Sequence, residues 1–314
     1  MPRCVDCGTE TPREEMYGPP DELRCRACVQ RRFPTTNVPT RHRSSFFLRW
    51  PPVTLFVIIA AAFITLLYMS GAPEVDWLVE SRFAIWHGEV WRFLTSVFVH
   101  DKSTPLHIVF NALWMWRLGK GIENWMGSVR FAGFFVVAAV GASAAQFLTG
   151  QGGIGLSGVV YALFGFLFVL RNEEEFAADL MPPGVIRLFV AWFFICILLT
   201  HFNWYPVANV AHGTGAVIGW LLGRAVLSGR PLLAAAGVGL LCLALTLLAT
   251  LYMPWDGYFD LYKGFVCANN KDYPCAREWF ELAARRLPED RRERARQFAA
   301  WAKYRMEHGD EDDQ

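Results

Sequence analysis

Charge is scarce in this chain: only 19% of its 314 residues are Asp, Glu, Lys or Arg, and 30 basic residues nearly cancel 29 acidic ones. Nothing in a formal net charge of +1 points to nucleic acid, which would need a basic excess gathered on one face or stripe. The first long apolar run is not expected to be a cleavable signal peptide, because it lies behind about fifty residues and is not followed by a small-residue cleavage site. What is abundant is apolar surface. Hydrophobic residues make up 54% of the chain, with 13 Trp and 25 Phe, a balance that points to a membrane protein.

A helix needs about 20 mostly apolar residues to cross a bilayer. Seven segments are candidates: Pro52 to Met69, Leu106 to Trp116, Phe131 to Thr149, Ile154 to Leu170, Val185 to His201, Val207 to Leu222 and Leu232 to Met253. The second is short and carries His107 and Asn111; Arg117, Lys120 and Glu123 are expected to end it. The predicted fold class is therefore an all-α polytopic membrane protein. Arg31, Arg32, Arg41, Arg43 and Arg49 precede the first span, Arg117, Lys120 and Arg130 follow the second, and Arg224 and Arg230 follow the sixth. These three clusters fall on one face, so the amino terminus is expected in the cytoplasm. With seven spans the carboxyl terminus comes out external or periplasmic.

Even-numbered spans then begin at the outer face, and His107, Asn111, Ser157 and His212 all lie near the beginnings of such spans. His212 is some five residues in, which at 1.5 Å per residue is on the order of 8 Å deep. A hydroxyl and an imidazole are costly in hydrocarbon unless partnered. Here each is embedded among glycines that let helices approach closely, and together they offer nucleophilic hydrolysis. Taken singly, Ser157 would be an ordinary helix-start serine, and His107 or His212 an interhelical hydrogen-bonding residue. The joint depth is what favours a site. His42, His87, His201 and His308 have no such context and read as interfacial or solvated.

The pieces WRFLTSVFVH (with Trp91 and Arg92), HIVFN, the run containing Gly155, Ser157, Gly158, Tyr161 and Gly165, and AHGTGAVIG follow one another in order. From about Pro51 to Arg230 the chain thus resembles the rhomboid intramembrane serine proteases. The resemblance implies a six-helix catalytic core with a Ser157 nucleophile and a His212 general base, needing no cofactor. It further implies that His107, Asn111 and the Ser157 amide bind the oxyanion, that Tyr161 packs on His212, and that Gly155, Gly158, Trp91 and Arg92 support the site. Some relatives carry a histidine where Ser96 stands here, with His100 nearby. Physical reasoning agrees with these roles. A serine at a helix start meets unpaired amides and the positive dipole end, and residues four apart share a helix face. Gly215, Gly219 and Gly223 would form a ridge that lets span six lie against span four. Implied substrates are transmembrane or juxtamembrane segments of other proteins within the lipid bilayer, cut near the outer face. The competing class is a catalytically silent rhomboid-like protein that binds and escorts clients.

Outside this core, Cys4-x-x-Cys7 and Cys25-x-x-Cys28 are separated by 17 residues. Four thiolates at that spacing suit a structural zinc ion in a ribbon over residues 1–32, too short to fold on apolar burial alone. A basic linker is expected over 33–50, and lipid attraction suffices to explain its charge. After a seventh helix over 231–254, residues 255–314 turn amphipathic. Gly264, Ala276, Phe280, Ala283 and Pro288 resemble one tetratricopeptide repeat, and 291–307 reads as its capping helix. The ribbon and tail are the places for a protein partner, the tail equally for packing on the membrane domain. Whether Cys267 and Cys275 pair stays open.

Overall fold

The computed structural model describes residues 2–12, 16–17, 22–25, 27–29, 50–253 and 255–308, in two units, Met1–Trp50 and Pro51–Gln314. In the first, β1 (Met16–Tyr17) pairs antiparallel with β2 (Arg24–Cys25), Met16 facing Cys25. Among its described residues Cys4, Met16 and Cys28 are buried. So small a core cannot stabilise a fold without a cross-link or a metal. Residues 33–49 of the basic linker, with Arg41, His42, Arg43 and Arg49, lie outside the described residues, as do Arg31 and Arg32.

The second unit is helical. α1 (Pro52–Met69) is followed by a first loop, 70–105, that contains α2 (Arg82–Trp86) and α3 (Arg92–Thr95). Then come α4 (Leu106–Trp114), α5 (Lys120–Met126), α6 (Ser128–Phe147), α7 (Ser157–Leu170), α8 (Glu175–Leu180), α9 (Pro183–His201), α10 (Asn209–Val226) and α11 (Pro231–Leu251). Of these, α1, α6, α9 and α11 are each long and apolar enough to cross a bilayer, and α7 is a shorter apolar helix.

The second apolar segment does not end at its charged residues. α4 runs through a π-helical turn, Met115–Gly119, into α5 and stops only at Gly127, whose φ of 84° breaks the helix. The reason is Glu123, which is buried and caps α1 instead of facing water. Its carboxylate accepts from Val53 N (2.9 Å), Thr54 N (2.8 Å), Thr54 Oγ1 (2.7 Å) and Ser128 Oγ (2.7 Å). Two N–H groups orphaned at the start of α1 are thereby satisfied, where the dipole also favours a negative charge.

α7 is buried along most of its length between α6 and α10. Its contact with α10 is backbone on backbone. A Cβ added at Gly215 would fall inside the Gly158 carbonyl, one at Gly219 inside the Ala162 carbonyl, and one at Gly165 inside the Ala216 carbonyl. The ridge read from the sequence is thus the closest approach in the bundle core, with Gly223 looser, 3.0 Å from Val169 Cβ.

The tail forms α12 (Gly257–Asn269), α13 (Tyr273–Arg286) and α14 (Glu289–His308). Asp256 and Asp272 cap the first two, accepting from Tyr258 N at 2.8 Å and Cys275 N at 3.1 Å. Phe265, Phe280 and Phe298 meet at ring distances of 5.0–5.5 Å, and Cys267 is disulfide-bonded to Cys275. This module packs on the first loop. Tyr262 donates to Trp86 O (2.8 Å), Trp86 Nε1 to Ala249 O (3.2 Å), and the Phe259 ring lies 5.2 Å from that of Trp86.

Candidate active site

Ser157 opens α7 and His212 lies one turn into α10, so the glycine ridge that joins these helices also sets the distance between the two side chains. His212 Nε2 stands 2.8 Å from Ser157 Oγ. His212 Nδ1 is buried and has no hydrogen-bond partner among the described residues. Among the described residues no carboxylate orients the ring. Its plane is held instead by Tyr161, stacked on it at 4.7 Å and 23°, and Tyr161 is itself fixed by donating to Phe189 O at 3.1 Å. For Nε2 to accept the serine proton, the neutral ring carries its own proton on Nδ1.

Gln146, which sequence reasoning did not single out, holds the start of α10: its buried Oε1 accepts from Ala211 N at 3.1 Å, next to His212. The only signal was a long amide among the small residues of α6.

On the other side of Ser157, Gly155 adopts a φ of 99°, and a Cβ there would stand 2.9 Å from His107 Nε2. His107 Nδ1 accepts from Asp101 N (3.2 Å), which leaves the neutral ring's proton on the Nε2 that faces this loop. Asn111 is buried, and its amide donates to His107 O at 2.9 Å along its own helix. His100 also holds this loop. Its Nε2 accepts from Leu156 N and its Nδ1 meets Thr65 Oγ1, both at 3.3 Å. Burial, with His107 as a lesser cause, pushes His100 down to about 3, so the ring is neutral at any working pH.

The supporting residues divide. Arg92 is buried and donates to Asp76 O, Val79 O and Glu89 Oε2, each at 2.7 Å, so it satisfies the carbonyls of the first loop. Trp91 beside it is half exposed. Gly158 gives room to α6, an added Cβ coming 3.1 Å from Ala142 Cβ.

In the first unit, the Sγ atoms of Cys4, Cys7, Cys25 and Cys28 lie within 4.8 Å of one another. Tetrahedral zinc at about 2.3 Å from each sulfur needs sulfurs about 3.8 Å apart; Cys7 and Cys25 are at 3.6 Å. Cys25 N also donates to Cys4 Sγ at 3.2 Å, which favours a thiolate. The donor set fits the metal, and four sulfurs leave no open position for catalysis.

Residues 87–229 match the family described as a Rhomboid domain. The chain is similar to the rhomboid protease GlpG of Salmonella choleraesuis (strain SC-B67), 32% identical over 194 residues that cover 59% of this chain and 68% of the relative. It is 31% identical, with the same coverage, to the GlpG proteases of Salmonella paratyphi A and Salmonella newport.

Proposed function

This chain belongs to the rhomboid family and is a serine protease of the membrane; on that premise we propose that it cuts transmembrane or juxtamembrane segments of other proteins with a Ser157–His212 dyad. The observation that carries the reading is the 2.8 Å contact between His212 Nε2 and Ser157 Oγ. As Ser157 Oγ attacks the scissile carbonyl, His212 takes its proton and then delivers it to the leaving amine, and water repeats the cycle on the acyl-enzyme. The developing oxyanion is met by the Ser157 amide at the start of α7, by His107 Nε2 and by Asn111, whose amide turns from His107 O to the substrate. A fluorophosphonate probe tests this directly: it labels the wild-type chain and spares Ser157→Ala. A wild-type chain that resists labelling supports the silent escort instead.

The cysteine cluster supports a structural zinc ribbon as an accessory domain. Purified protein should carry one zinc ion per chain, and Cys4→Ser with Cys25→Ser should release it while proteolysis by the detergent-solubilised core stays largely intact. Activity that falls in step with metal content would show that the ribbon is not accessory.

Charge placement and seven spans support a cytoplasmic amino terminus and an external carboxyl terminus, with cleavage near the outer face. The packing of α12 on the same loop that surrounds Ser157 supports the same side for tail and site. An enzyme reporter active only outside the membrane, fused after Gln314, should therefore be active; silence there, with activity from a fusion in the first loop, would remove the seventh span.

A further inference from the structure

The nine residues from Leu148 to Leu156 that lead into Ser157 include Gly150, Gly152, Gly153 and Gly155 and have no regular secondary structure. Such a run is conformationally free unless something outside it holds it. Its ties come mainly from the first loop. Gly153 N donates to Glu80 Oε2 (2.9 Å), Gly155 N to Ser96 O (3.2 Å) and Leu156 N to His100 Nε2 (3.3 Å), while Arg82 donates to Gly150 O. Glu80 is the side chain that closes the middle of this run. Its other carboxyl oxygen meets Ser96 Oγ at 3.3 Å, the Ser143 hydroxyl of α6 also bonds to it, and Gly152 lies so close that an added Cβ would stand 3.0 Å from Glu80 Cβ. Nothing in the dyad chemistry calls for a carboxyl here.

We propose that Glu80 is a positioning residue for hydrolysis: by gripping Gly153 it holds the glycine-rich approach in the register that aims the Ser157 hydroxyl and amide at the scissile carbonyl. The inference rests on the reading of Ser157 as nucleophile. One carboxyl oxygen accepts from Gly153 N and the other from Ser96 Oγ; where burial keeps the acid neutral, its protonated oxygen donates to that hydroxyl in return. The groups that face the carboxyl are the Gly153 N–H and the hydroxyls of Ser96 and Ser143; no charged side chain contributes, and burial pushes Glu80 up to about 8. Because the folded-state value is raised, the neutral grip is fully present below pH 7 and is lost as pH rises through about 8. Ionisation would then put an unpaired negative charge beneath a loop that must receive an oxyanion.

The test is cleavage of a model transmembrane substrate by the full chain in detergent, from pH 6 to about 9.5, where the alkaline limb is read against the value near 8. Glu80→Ala should lower kcat by about 10- to 100-fold, the range that misplacement of a reacting group produces, with KM within about twofold. Glu80→Gln reproduces both hydrogen bonds of the neutral acid, so it should keep kcat within about threefold at pH 7 and lose the fall in rate near pH 8. If Glu80→Ala does not fold, the alkaline limb of Glu80→Gln decides alone. Wild-type kcat in Glu80→Ala, or an unchanged alkaline fall in Glu80→Gln, overturns the proposal. Ser157→Ala run in parallel separates the readings: an inert Ser157→Ala beside an unimpaired Glu80→Ala sinks only the positioning role, whereas an active Ser157→Ala removes the nucleophile and the positioning role together.

Discussion

Ser157→Ala and His212→Ala are each expected to abolish cleavage of a model membrane substrate, and the double variant should be no slower than either. Residues that act as one unit are not additive: in a soluble serine protease the loss of nucleophile or base alone costs on the order of 10⁶-fold, about as much as losing both. The same result is expected here because each side chain is useless alone. Without His212 the serine keeps its proton, and without Ser157 the imidazole has nothing to activate. Asn111→Ala should be milder, a loss of roughly 10²- to 10³-fold, since other oxyanion donors remain. Single-turnover rates with the three variants measure all of this. Undiminished cleavage by Ser157→Ala would end the dyad reading, and a double variant much slower than both singles would show that the two residues do not act as a pair.

Gly219→Ala is the second large effect. One methyl group on α10 would overlap the Ala162 carbonyl of α7, and neither backbone can yield without moving a helix. The helices must separate, and the 2.8 Å contact between His212 and Ser157 opens with them. A shift of about 1 Å in a reacting group can cost 10²-fold in rate, so Gly219→Ala should lose about that much activity and also unfold at lower temperature. Gly237→Ala is the control. It lies on α11 with nothing within 4 Å of an added Cβ, and helix propensity favours it by about 0.5–1 kcal/mol, so activity should persist. Equal behaviour of the two variants would show that the glycine ridge does not govern the site.

The apolar helices α1, α6, α9 and α11 were legible because hydropathy is a local property, and the Gly215–Gly219 ridge because a four-residue period marks one helix face. The nearness of Ser157 and His212 could be inferred from equal depth in adjacent spans. What was not legible depends on partners far away in sequence. Glu123 looks like a helix-ending charge until Val53 and Thr54 are seen at its carboxylate. Gln146 is one amide in an alanine-rich helix until Ala211 meets it, and Glu80 is a loop acid until Gly153 does. Spacing rules describe neighbours within one element, and these three residues act between elements. The tail could be read as helical, but not where its aromatic residues would land.

That landing place has a consequence for the order in which the enzyme comes into being. Trp86 and Phe93 of the first loop share an apolar cluster with Phe147 of α6, but also with Ala249, Met253 and Phe259. The last three are made when most of the polypeptide has already left the ribosome, and chains grow at about 5–20 residues per second. For several seconds after the serine and the histidine have been inserted, the loop above them lacks the residues that complete its underside. A nascent chain therefore holds Ser157 and His212 before it holds the residues that complete the apolar cluster against Trp86 and Phe93.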